Sequence, residues 1–250
     1  MTAINMTGKT VFITGTNRGL GAVLLREFVG SGANVIAHTR KLDEKFTASC
    51  TELSVKHGVA VTPVAFDLTD TAAMQEVIGG LIKRKVRIDS LVNSAGVAHG
   101  GYFQLTPVVD VRRVFEVNFF SVLELTQALL RYMVSKGGGS VINIVSVNGI
   151  DLQAGQCAYG VSKAALAAFT TTLAAECGPL KVRVNALAPG LMNTEMGRAI
   201  DKKSGDRLLA RSAMHRLIEP EEVAKMALFL ASDAASAVNG QVISIDGGKS

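Results

Sequence analysis

The stretch TGTNRGLG, Thr14 to Gly21, follows the first β-branched run of the chain, TVFIT at 10–14, and leads straight into a segment of helical period. Glycines at 15, 19 and 21 allow a tight turn and close backbone approach. The free N–H groups at the helix start then face an anion such as a pyrophosphate. A glycine-rich turn with no ligand is the plain alternative. Context decides between them, because the turn carries dinucleotide-binding meaning only after a strand and before a helix in an alternating pattern.

Working outward, that alternation runs the length of the chain. TVFIT, NVIAH, VAVTPVAF, IDSLVN, SVINIVS, VRVNALA and VISID read as strands. Helical periods fill the intervals Leu20 to Gly30, Leu42 to His57, Ala72 to Lys85, Val111 to Lys136, Ala158 to Cys177 and Pro220 to Ala231, the last with proline in its first turn. Strand and helix repeated in this way predict an α/β fold: a doubly wound Rossmann sheet, mostly parallel, with helices on both faces. Ligands then gather at the carboxyl ends of the strands. No linker, repeat or low-complexity block interrupts the 250 residues, so one domain, 1–250, is expected.

About twenty residues beyond the glycine turn, the second strand ends as VIAHTRK. An acid there would hold the ribose 2′-hydroxyl of NAD. Instead Thr39 takes the position and Arg40 follows, which favours a 2′-phosphate. Arg18, within the turn, can reach the same phosphate with a planar fork. The expected cofactor is NADPH/NADP+; two solvated surface arginines are the alternative.

Composition narrows the function classes. The chain is 48% hydrophobic, lacks any run approaching a membrane span, and begins without the apolar core of a signal peptide, so a soluble, cytoplasmic protein is expected. Its three cysteines, Cys50, Cys157 and Cys177, have no CxxC spacing, and no His/Cys/Asp cluster suggests a metal. The net charge of +5 raises the possibility of nucleic acid, but the one dense basic cluster, KRKVR at 83–87, reads as a solvated helix end and aromatics are few. One further pair stands out. Tyr159 and Lys163, in AYGVSKAALAAF, lie one helical turn apart on one face, where a lysine charge can act on a phenol.

Taken together, these motifs resemble those of the short-chain dehydrogenase/reductase family, from about Lys9 to Gly248. The family's TGxxxGxG is Thr14 to Gly21 and its YxxxK is Tyr159 to Lys163. FDLTD carries Asp67 and Leu68 for the adenine ring. NSAG, Asn93 to Gly96, stands where the family usually has NNAG. Asn118, Ser146 and the loop APGLMNT at Ala188 to Thr194 complete the set. The resemblance implies a catalytic Asn118, Ser146, Tyr159 and Lys163. It implies a cofactor held by Gly15, Thr16, Asn17, Arg18, Gly19, Leu20, Gly21, Thr39, Arg40, Asp67, Leu68, Asn93, Ala95, Gly96, Tyr159, Lys163, Pro189, Gly190, Met192 and Thr194.

In the implied chemistry the cofactor supplies hydride and Tyr159 the proton. Lys163, together with the nicotinamide charge, lowers the phenol pKa and binds the nicotinamide ribose, Ser146 steadies the substrate oxygen, and Asn118 holds a water in a proton relay. A substrate lid is expected at about 190–217, with Met192, Met196, Ala199, Ile200, Leu208 and Leu209 available to line an apolar channel, although such residues also serve ordinary packing. The pattern is most similar to 3-oxoacyl-[acyl-carrier-protein] reductases of fatty acid biosynthesis. That similarity makes a 3-oxoacyl thioester the leading substrate. A sugar, steroid or other small-alcohol dehydrogenase is the enzyme alternative, and a non-catalytic NADP(H)-binding sensor or scaffold the non-enzyme one. Only Lys136 and Lys181 stand near the positions where the carrier-docking arginines are expected, so weak contact with an acyl carrier protein is anticipated. The family is commonly tetrameric, and a homotetramer or homodimer is expected from pairing of the long helices.

Overall fold

The computed structural model describes residues 4–198, 205 and 208–248. Its centre is one sheet of seven strands, β1 (Thr10–Ile13), β2 (Asn34–Thr39), β3 (Val61–Ala65), β4 (Ser90–Asn93), β5 (Gly139–Ile144), β6 (Val182–Pro189) and β7 (Val242–Ile245), in the order β3-β2-β1-β4-β5-β6-β7. Every pairing among the described strands is parallel. A parallel sheet needs covering on both faces, and the strand residues alternate to supply it. Val11, Ile13, Val35 and Ala37 enter one core, with Leu24 and Phe28 of helix α1 (Gly19–Gly30) and Val223 and Leu228 of helix α7 (Pro220–Ala231). Phe12, Ile36, Leu91 and Val141 enter the other, with Met74 and Ile78 of α3 (Thr71–Lys83), Leu125 and Leu129 of α5 (Ser121–Ser135) and Leu173 of α6 (Cys157–Cys177).

Chain order reverses between β1 and β4, which creates the switch-point crevice where ligands of such sheets sit. Pro63 is tolerated because β3 is an edge strand, with a ladder partner on one side only. Helix α2 (Glu44–His57) is capped by Asp43, which accepts from Phe46 N, and α3 by Asp70, which accepts from Ala73 N. The basic cluster 83–87 lies at the end of α3, as its charge pattern suggests. Arg87 is tied to Asp89 at 2.6 Å, and Asp89 in turn accepts from Thr10 N.

One element differs from expectation. The helix predicted over Val111 to Lys136 is α4 (Val108–Phe115) and α5, joined by a π-helical turn at Glu116–Phe120. Such a turn inserts one extra residue into the helical ladder, and here it carries Asn118. The polar side chain competes with the backbone ladder, so the sequence cue was present, but its geometric outcome depends on what the amide meets across the fold.

Candidate active site

The glycine turn leaves β1 at Gly15, φ +72°, and enters α1 after Gly19, φ +55°. Only glycine adopts these left-handed values without strain. A Cβ on Gly21 would overlap the Gly15 carbonyl oxygen, and one on Gly15 would lie 3.1 Å from Ala95. The turn is therefore packed tightly from below and open above. Among the described residues no side chain caps α1, in contrast to α2 and α3, so its first N–H groups and its dipole remain available to an anion. Asn17, Arg18 and Gly19 are exposed, whereas Thr16, Leu20 and Gly21 are buried and fix the turn. A dinucleotide pyrophosphate fits this cradle.

At the end of β2, Thr39 is buried and Arg40 exposed, with no ion pair at Arg40 among the described residues. Asp67, just beyond β3, is also exposed. Its carboxyl is held below the usual range first by Thr69, which donates from N at 3.0 Å and from Oγ1 at 2.8 Å, and then by the charge of Arg40. Leu68 beside it is buried. Arg18 reaches Glu195 at 3.5 Å, both side chains being mostly exposed, so the pair holds it loosely.

Ser146 follows β5 and caps a short 3₁₀ turn, Val147–Gly149, by accepting from Asn148 N at 3.2 Å. That turn lies directly on α6. A Cβ on Gly149 would come within 2.7 Å of the Lys163 carbonyl carbon, and one on Gly160 within 2.7 Å of the Asn148 carbonyl oxygen. These two glycines, which the sequence reading did not single out, let the turn approach α6 closely and bring the Ser146 hydroxyl to bear on the Tyr159 phenol. Lys163 is 4% exposed and donates from Nζ to the Ile144 carbonyl at 2.8 Å.

The protein's own groups set the protonation of the pair as follows. The Tyr159 phenol lies above its ordinary value of 10.0, because burial disfavours the phenolate more than the Ser146 hydrogen bond favours it. Lys163 spends its bond on Ile144, and its own burial lowers it from 10.5 to about 8. At neutral pH both groups hold their protons.

Asn118 is fully buried, and its amide clamps the chain after β4. Oδ1 accepts from Val97 N at 2.8 Å, while Nδ2 donates to Val97 O at 2.9 Å and to Ser162 Oγ at 3.1 Å. Both N–H groups are thus committed to the loop and to α6, which leaves no side-chain donor for the expected relay water. Gly96 sits beneath this clamp: a Cβ there would lie 3.1 Å from Asn118 Oδ1 and 3.4 Å from Lys163 Nζ. Asn93 is placed so that only its main chain borders the site. Its side chain is turned into the interior, donating to Asn143 Oδ1 at 2.8 Å and Thr126 Oγ1 at 3.2 Å.

Pro189, the last residue of β6, is buried, and Gly190 donates to Ile245 O at 2.9 Å. Thr194 is buried and accepts from Gly197 N. Met192 packs against the core beside the Met192–Ile218 bridge that ties together the two ends of the 190–217 segment, and Met196 is half exposed. Leu208 and Leu209 line a small cavity with Val147, Leu191, Ser212 and Arg216. Ala199 and Ile200 lie outside the described residues. Ser212 anchors this segment to the C-terminal turn by donating to Asp246 O at 2.9 Å, and Arg211 joins it to the loop after Ser146 through Asp151 at 2.9 Å. No spacing motif marks either contact, and only the fold brings them together.

The chain matches a family model described as enoyl-(acyl carrier protein) reductase over residues 15–250. It is 37% identical to the 3-oxoacyl-[acyl-carrier-protein] reductase FabG of Thermotoga maritima, over 98% of this chain and 99% of that protein. It is 32% identical to a 3alpha-hydroxysteroid dehydrogenase of Mediterraneibacter gnavus, over 96% of each. The crystal structure of L-sorbose reductase from Gluconobacter frateurii, complexed with NADPH and L-sorbose, superposes with a TM-score of 0.88 at 26% identity, covering 98% of both chains.

Proposed function

The chain belongs to the short-chain dehydrogenase/reductase family, an oxidoreductase family, and from that premise we propose that it reduces a secondary carbonyl with NADPH, a 3-oxoacyl thioester being the leading substrate class. The observation that carries this reading is the convergence of the Ser146–Tyr159 hydroxyl pair and buried Lys163 on the crevice that the open glycine turn borders. The N–H groups of the turn hold the pyrophosphate. Arg40 and Arg18 hold the 2′-phosphate, Asp67 and Leu68 flank the adenine, and Ala95, Gly96, Pro189, Gly190, Met192 and Thr194 bound the remainder.

The bound cofactor supplies hydride. Ser146 donates to the substrate oxygen and stabilises charge developing there. Tyr159, held protonated by burial, delivers a proton to that oxygen, a state suited to the reducing direction. Lys163 places a positive charge beneath the site, and Asn118 fixes the 96–97 loop against α6. The 190–217 segment serves as the substrate lid.

Relatives named for sugars and steroids support a second reading, a sugar or steroid dehydrogenase on the same scaffold. Lys136, stacked 5.2 Å over the Tyr132 ring, and Lys181 offer an acidic carrier protein only scattered point charges. The test follows NADPH oxidation with 3-oxoacyl-CoA, 3-oxoacyl carrier protein, ketoses and 3-oxosteroids. The expected result is 3-oxoacyl turnover with less than about tenfold preference for the protein carrier at low salt. Turnover is expected to fall ~10²–10⁴-fold in Tyr159→Phe. Turnover confined to ketoses or steroids would select the second reading, and a Tyr159→Phe protein of normal kcat would remove the mechanism.

A further inference from the structure

His38, near the end of β2, is 2% exposed, and the proposed reaction does not use it. Its ring lies between Phe12, at 6.4 Å, and Phe66, at 4.2 Å. Both nitrogens are occupied: Nδ1 faces Gly15 N at 3.3 Å and Nε2 lies 3.0 Å from Phe66 O. The Phe66 carbonyl can only accept and the Gly15 N–H can only donate. The proton must therefore sit on Nε2, and Nδ1 must be bare. The backbone carbonyl of the same residue accepts from Thr16 N at 2.9 Å and Thr16 Oγ1 at 3.0 Å. One residue thus ties Gly15 and Thr16 of the glycine turn to β2 and to the residue just past β3.

Burial lowers the imidazole to about 4, against the opposing effects of the Phe66 carbonyl and the Asp67 charge, so the ring is neutral at physiological pH. The other charged neighbours point elsewhere: Arg40 acts on Asp67, and Arg18 reaches Glu195. A second proton on Nδ1 would set two N–H groups against each other across the turn.

We propose that His38 is a positioning residue for cofactor binding, its bare Nδ1 holding the Gly15 N–H so that the turn keeps the shape that receives the dinucleotide phosphates. The proposal rests on the NADP(H)-binding reading above. His38→Asn keeps an acceptor on the Nδ1 side. His38→Gln reaches toward Phe66 but leaves Gly15 without an acceptor, and His38→Leu removes both bonds. Dissociation constants for NADP⁺ are measured by titration calorimetry on the full chain, with melting temperatures recorded alongside, and the imidazole tautomer of the wild type is read by ¹⁵N NMR.

The expected result is binding within about threefold of wild type for the Asn variant and a loss of roughly tenfold or more for Gln and Leu, as for a buried donor left unpaired. The NMR spectrum is expected to show the proton on Nε2. Equal binding by all three variants, equal loss by Asn and Gln, or a protonated Nδ1 would overturn the proposal. If Gln and Leu do not fold, the tautomer and the Asn variant decide it. Wild-type protein that binds neither NADP⁺ nor NAD⁺ would refute the cofactor reading itself, and the role of His38 with it.

Discussion

Lys163→Met should make the protein more stable while damaging its proposed site. The ammonium is 4% exposed, and among the described residues its one hydrogen bond is to the Ile144 carbonyl. Burial lowers its pKa from 10.5 to about 8. Between these values the unfolded chain holds a proton that the folded one has released, so stability rises with pH across that window. Below pH 8 the native state carries the full cost of the buried charge. The interval corresponds to roughly 3 kcal/mol. Methionine keeps the stem volume, removes the charge and forfeits the Ile144 bond, a loss of ~1–1.5 kcal/mol. The net gain at pH 7 is ~1–2 kcal/mol, or ~2–8 °C in melting temperature for a chain of this length. Scanning calorimetry of wild type and variant at pH 7 and pH 10.5 should show the gain at the lower pH and its disappearance at the higher, with NADPH affinity reduced throughout. A variant less stable at pH 7, or a gain of equal size at both pH values, would refute the reasoning.

Three other outcomes follow from the same geometry. Arg40→Asp places a carboxylate beside the buried Thr39 and should shift the NADP⁺/NAD⁺ affinity ratio at least tenfold toward NAD⁺, measured by calorimetry; an unchanged ratio would exclude a phosphate contact at Arg40. Gly21→Ala forces a methyl into the Gly15 carbonyl and should cost ~1–3 kcal/mol of stability together with cofactor affinity, whereas an unperturbed melting curve would mean the turn is looser than the structure has it. The exposed Val108, Val109, Phe120 and Val161, on α4, the π turn and α6, support pairing of these helices between subunits, and a monomer by light scattering at micromolar concentration would count against it.

Much of this fold could be read directly from the chain. Every strand of the sheet coincides with one of the runs read as strands, most plainly the central ones, because a parallel strand buried on both faces must be apolar almost continuously. Glycine, too, is legible where φ is positive or a Cβ has no room, and so the turn at 14–21 announced its own shape. The spacing of Tyr159 and Lys163 by itself places both on one face of one helix. Tertiary structure decided what those side chains meet. Whether Asn118 holds a water or clamps Val97 depends on a loop 21 residues away, and Asn93 turned inward because Asn143 and Thr126 waited there. Burial, a property of the whole packing around Tyr159, raises the phenol, and Lys163 found a carbonyl on β5. His38 reads as an ordinary strand residue until the ladder sets it beside Gly15. Period and propensity are local and repeat along the chain, whereas desolvation and hydrogen-bond partners are fixed by residues distant in sequence that only the completed sheet brings together.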